Sequence, residues 1–220
     1  MSADEQHHDP VAPAVASAWT GPRRKERQPA LSRAQIVAAA LRLLDADGME
    51  ALSMRRLGGE TGAAATSLYR HVTGKDEVIE LVLDEVYGEL VVPAADAPGD
   101  WREAVSRSGH SLRAVTLRHP WVASVLGQVG PAHFGPNLLR MSERMLALFQ
   151  TAGFPASEAA PAMRAVVSYV VGATSGEAAQ LSRAARSGQS ERSPRALRDE
   201  NFDYGLQRIL DGLQARLAHA

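Results

Sequence analysis

Between Ser53 and Lys75 the chain reads Ser-Met-Arg-Arg-Leu-Gly-Gly-Glu-Thr-Gly-Ala-Ala-Ala-Thr-Ser-Leu-Tyr-Arg-His-Val-Thr-Gly-Lys. This run divides into two short helix-forming pieces, predicted over about residues 54–61 and 64–71, with Gly62 as the turn between them. The second piece gathers Thr66, Ser67, Tyr69, Arg70 and His71, mostly polar and close together. Leu57 and Leu68 are placed to pack both pieces against a preceding helix. The pattern is that of a helix-turn-helix, whose second helix enters the DNA major groove.

The preceding helix is legible on its own terms. Ser32 and Gln35 have the spacing of a capping box, with Leu31 and Ile36 placed as a hydrophobic staple. Ile36, Ala39, Ala40, Leu43 and Leu44 then follow i, i+3, i+4, i+7, i+8 spacing and share one helical face. Gly48 stands where a C-terminal cap belongs, so this helix is predicted over 33–47.

The rest of the chain supports an all-α fold. It has 220 residues, 45% hydrophobic but only 5% aromatic, so its core must come mainly from Ala, Leu and Val. Ala and Leu favour helices over strands. A fourth helix carries Asp76 and Glu77 in its first turn, suited to the helix dipole, and an apolar face from Val78 to Leu90. Asp100 and Glu103 suggest the capped start of a fifth helix, ending near Arg118. Pro120 opens a short sixth, and Leu138 to Phe149 mark a seventh. An eighth runs over about 158–186, with Ser157 as its cap, and is apolar nearly all round at Val166–Gly172, which predicts deep burial. Residues 187–200 read as a polar loop. Phe202, Leu206, Ile209, Leu210, Leu213 and Leu217 form the stripe of a last helix over about 201–219. Residues 1–30 lack an apolar period and read as a disordered arm with a basic end, Arg23-Arg24-Lys25-Glu26-Arg27.

Charge is unevenly spread. Residues 21–75 hold ten Lys/Arg against five Asp/Glu, a net of +5, while the whole chain carries −1. A basic segment on an otherwise acidic chain points to a polyanion-binding face. There is no Cys, which excludes disulfides, zinc–thiolate sites and thiol nucleophiles and fits a cytoplasmic protein. No apolar run reaches the roughly 18 residues of a membrane span, and no secretory signal is visible. Catalysis finds little support: there is no G-x-S-x-G elbow, H-E-x-x-H or phosphate loop, and the seven His show no metal-ligand spacing. We therefore expect neither an enzyme nor a bound cofactor or metal. A non-specific nucleoid protein is the other alternative. The large apolar C-terminal part argues against it, and salt dependence with a specificity ratio separates the two.

These features together resemble the TetR (tetracycline-repressor) family. The resemblance rests on Leu43-Leu44-Asp45-Ala46-Asp47-Gly48, Leu52-Ser53-Met54-Arg55-Arg56-Leu57, Thr66-Ser67-Leu68-Tyr69-Arg70-His71-Val72 and Lys75. Beyond these the match is looser: Asp100-Trp101, Arg118-His119, Leu126-Gly127, Gly153-Phe154, Gly172 and Phe202-x-Tyr204-Gly205-Leu206. It covers about residues 31–219. The resemblance implies a DNA-binding domain over 31–75 and a ligand-binding and dimerisation domain over 76–220. It also implies a homodimer, built from the helices around 158–186 and 201–219, that a small molecule releases from operator DNA.

Carried over residue by residue, it assigns DNA contacts to Ser53, Arg55, Ser67, Tyr69, His71 and Lys75. Thr66 and Arg70 fall at variable recognition positions, and Ala65 replaces a polar reader, so the operator should differ from the tetracycline repressor's. Expected pocket residues are His110, Leu117, Leu126, Met141, Met145, Phe149, Met163 and Val167, implying a largely apolar inducer. The His that binds the drug's magnesium in the tetracycline repressor falls at Val125 here, which argues against a tetracycline–magnesium ligand.

Overall fold

The computed structural model describes residues 31–93, 101–125, 135–187 and 194–218. The expected basic arm, the Asp100 cap and Leu126 lie outside them. Among the described residues there are helices and no strands. They are α1 (Arg33–Asp47), a single 3-10 turn (Met49–Ala51), α2 (Met54–Thr61), α3 (Ala65–Leu68), α4 (Lys75–Tyr87), α5 (Trp101–Arg118), α6 (Val122–Val125), α7 (Pro136–Thr151), α8 (Ala156–Ser187) and α9 (Arg195–Leu217).

The N-terminal helices begin and end where local chemistry directs. Ser32 Oγ accepts from Gln35 N at 3.2 Å while Ser32 N donates to Gln35 Oε1 at 2.9 Å, closing the capping box at the start of α1. Ser53 caps α2 in the same way, its hydroxyl accepting from Arg56 N at 3.2 Å. Gly62 then turns the chain at φ 66°, ψ 16°, a left-handed conformation that favours glycine. Gly58 lets α2 and α3 approach: a Cβ there would stand 2.8 Å from the backbone oxygen of Ala63. Leu57 and Leu68, both at 0% exposure, join the buried stripe of α1. The α-helical part of the second piece is shorter than predicted. It ends at Leu68, and turns carry the chain on to Val72, whose N–H reaches Leu68 O at 3.1 Å.

Helix α4 packs on both α1 and α7, while α8 packs on α5, α7 and α9. Trp101, Phe149 and Phe154 form an aromatic knot among them, with centroids 5.5–6.1 Å apart.

Four expectations for this half are corrected. Helix α8 begins at Ala156, so Ser157 lies inside it rather than capping it, and α8 is not buried all round. Val166 and Val170 face inward, but Ser168 and Gly172 are exposed. Helix α9 begins at Arg195, inside the stretch read as loop. Tertiary ion pairs override the local polarity: Arg198 Nε donates to Glu177 Oε1 at 3.0 Å, and Arg113 Nη2 lies 2.8 Å from Asp199 Oδ1. Finally, Phe202, Leu206 and Leu210 belong to the subunit's own core rather than to an outer seam.

Candidate nucleic-acid interface and ligand cavity

The predicted recognition residues share an exposed ridge over a firmly anchored base. Leu68 and Val72 are buried, which turns Thr66, Tyr69 and Arg70 outward; Tyr69 is 54% exposed. Ser67 and His71 are half-buried beside them, and Ser53 and Arg55 are exposed at the start of α2. Arg55 and Arg70 make no ion pair among the described residues. Their guanidinium forks are free for guanine edges or phosphates. Lys75 is also exposed, with its Nζ donating to Met49 O at 3.3 Å. Arg56, by contrast, is paired with Asp47.

Behind this ridge is a clasp that sequence reasoning missed. Glu77 Oε2 accepts from Thr73 N at 2.6 Å and from Thr73 Oγ1 at 2.8 Å, while its Oε1 accepts from Arg33 Nη2 at 2.6 Å. Arg33 also donates to the carbonyl of His71, from Nε at 3.3 Å and Nη2 at 3.2 Å. The end of the recognition segment is thus tied to the starts of α1 and α4. The Thr73 N–H and hydroxyl, together with Arg33, hold the Glu77 carboxyl below its ordinary range. A signal did exist: Glu77 is the third residue of α4, the position whose side chain reaches back over a helix start. Nothing local marks Arg33.

A cavity of about 330 Å³ lies between α4, α5, α7 and α8. Met141, Met145, Met163 and Val167 line it as expected, with Leu83, Leu112, Val170 and Val171. Leu126 lies outside the described residues. The other expected pocket residues are elsewhere. Phe149 is locked at 0% exposure in the aromatic knot. His110 sits one residue past the cavity-lining Gly109 and so faces outward, its Nε2 3.0 Å from Asp203 Oδ1 and its ring against Phe202. Leu117 is half-buried off the cavity.

Four polar residues unforeseen from sequence line the cavity as well: Tyr87, Ser108, Ser142 and Arg164. Tyr87 is 4% exposed, and burial pushes its phenol well up, so it stays protonated and able to donate. Its spacing with Leu83 and Leu90 was the available signal, since i, i+4, i+7 residues share one helical face.

A polar joint connects the two sites. Asp45 on α1 places Oδ1 2.7 Å from His119 Nδ1 and accepts from Trp121 Nε1 at 2.9 Å. His119 is 3% exposed, and its Nε2 lies 3.3 Å from Glu89 Oε1, just beyond α4. Helices α4 and α5, which wall the cavity, therefore end against the helix that backs the recognition segment.

Comparison with known proteins agrees with this layout. Residues 36–82 match the model for bacterial regulatory proteins of the tetR family, and residues 92–198 match the tetracyclin repressor-like C-terminal domain. An HTH-type transcriptional regulator of Saccharopolyspora erythraea is 42% identical over 165 residues, covering 74% of this chain and 69% of that one. The HTH-type transcriptional repressor DrrR1 of Streptomyces coeruleorubidus is 32% identical, covering 94% and 87%. The crystal structure of the Streptomyces coelicolor TetR family protein ActR in complex with actinorhodin superposes with a TM-score of 0.74 at 30% identity, covering 86% of this chain and 97% of that one. On these matches the chain belongs to the TetR family of transcriptional regulators.

Proposed function

We propose that this chain is a cytoplasmic repressor that binds a palindromic operator as a homodimer and leaves it when a largely apolar small molecule enters the cavity. Residues 31–75 serve as the DNA-binding part and 76–220 as the ligand-binding and dimerisation part. The observation that carries the reading is the pairing of a solvent-facing ridge, with Arg55 and Arg70 unpaired among the described residues, and a mostly apolar cavity, linked through Asp45, His119 and Glu89. The repressor name of DrrR1 and the ligand-bound ActR structure support it.

In this reading Arg55 reads a base edge, Thr66 and Arg70 set specificity, Ser53 contacts phosphate, and Ser67, Tyr69, His71 and Lys75 contact phosphate or base edges. An inducer acts by binding the DNA-incompetent state more tightly, about 1.4 kcal/mol for each tenfold loss of operator affinity. The dimer seam uses the outward faces of α8 and α9, where Ser168, Gly172 and Tyr204 are exposed. Tyr204→Asp is expected to yield a folded monomer by light scattering; a dimer unchanged by that substitution would move the seam elsewhere.

Fluorescence-anisotropy titration on the chain's own upstream DNA against a scrambled duplex, at physiological salt, tests the core of the proposal. A preference of about 10³-fold or more is expected. Equal weak binding to every duplex, including fragments selected from the whole genome, would refute a sequence-specific regulator.

A further inference from the structure

The cavity wall is almost entirely aliphatic and thioether, and its exceptions are few and differently placed. Tyr87 is nearly fully buried, and among the described residues its hydroxyl has no hydrogen-bond partner. A phenolic O–H on the cavity wall can donate to an oxygen supplied by a bound molecule. Arg164 is the single charged residue on the wall; it reaches solvent from α8 and makes no ion pair among the described residues. Ser108 is already committed, its Oγ donating to Ala104 O at 2.8 Å. Among the described residues no carboxylate lines the cavity to offset a positive ligand.

From this arrangement we propose a narrower ligand class, resting on the reading of the cavity as the inducer site: amphiphilic acids, with an apolar body among the Met and Val side chains, an anionic group on Arg164, and an acceptor oxygen on the body facing Tyr87. A guanidinium fork matches a carboxylate or sulfonate in geometry as well as charge. A pure hydrocarbon of the same shape gains neither the Tyr87 hydrogen bond nor the Arg164 ion pair and binds more weakly. A cationic amphiphile meets Arg164 and finds no counter-charge.

Matched dyes make the test on the full-length protein. 8-Anilinonaphthalene-1-sulfonate carries an anion, and N-phenyl-1-naphthylamine is the same skeleton without it. The anionic dye is expected to bind at least tenfold tighter. Arg164→Gln should remove that preference and leave the neutral dye within about twofold, while Arg164→Lys should restore most of it. Equal affinity for the two dyes, or equal loss of both in Arg164→Gln, overturns the acid selectivity. For Tyr87, the naphthyl ketone Prodan reports hydrogen bonding to its carbonyl by a red shift in emission; Tyr87→Phe should shift the bound dye to the blue, and an unchanged spectrum overturns the acceptor assignment. Val167→Trp, with Ala160→Trp as a second blocking variant, separates this inference from the one beneath it. Dye binding that survives both, in folded protein, means that the dyes are outside the cavity and the inducer site itself is wrong. Binding that both abolish, without charge preference, defeats only the acid class.

Discussion

The recognition ridge and the cavity are solved by opposite means. The ridge presents Arg55, Tyr69 and Arg70 to water, where polar groups cost nothing while idle, and keeps its precision behind them in the Arg33–Glu77–Thr73 clasp. The cavity hides its selectivity. Tyr87 lines it from a buried position and Arg164 stands at its solvent edge, so its polar groups are few and set into an apolar wall. An exposed site gains specificity by what is held rigid underneath, and an apolar cavity by the few polar groups set into its wall.

The comparison breaks most sharply if the two regions fold as one. Leu68→Ala removes the anchor of the recognition segment and is expected to cost about 2–5 kcal/mol in chemical unfolding and abolish operator binding. Binding of N-phenyl-1-naphthylamine in the cavity should persist, and its loss would mean that ridge and cavity share one cooperative unit. Arg55→Ala and Arg70→Ala should each cost about 1–3 kcal/mol of operator affinity with thermal stability unchanged. Losses concentrated at one base pair identify a base reader, whereas uniform losses across sequences make that arginine a phosphate contact. Asp45→Ala, which strands both His119 Nδ1 and Trp121 Nε1, should cost about 1–3 kcal/mol of stability.

The smallest effect is on acidification. Because the folded Glu77 carboxyl lies below its ordinary value, its contribution is present above that value and disappears as pH falls through the folded one. Between about pH 5 and pH 3 the wild type should therefore lose more unfolding free energy than Glu77→Gln; parallel losses would exclude the clasp as the cause.

Legibility in the sequence followed the range of the interaction. The bounds of α1 and α2, the Ser32–Gln35 box and the Gly62 turn were all readable, because each is decided within four residues. The cavity lining was not. Phe149 and Tyr87 are both aromatic residues on amphipathic helices, yet one closes a knot with Trp101 and Phe154 while the other borders open space. That difference depends on four helices drawn from nearly ninety residues of chain. The start of α9 was missed for the same reason, since Arg198 and Asp199 are drawn into helix by Glu177 and Arg113. His110 lies one residue past the cavity-lining Gly109, an error of about 100° in helical phase.

The clasp has one further consequence, for the ion atmosphere of DNA. Of the six cations between Leu31 and Lys75, Arg33 and Arg56 are already neutralised by carboxylates of their own subunit. They have little charge left with which to displace condensed counterions. Operator affinity is then expected to decline less steeply with added salt than a count of Lys and Arg suggests, which a salt titration of binding checks. A regulator built this way leans more on the fit of its ridge to a particular sequence, and less on indiscriminate attraction to any duplex.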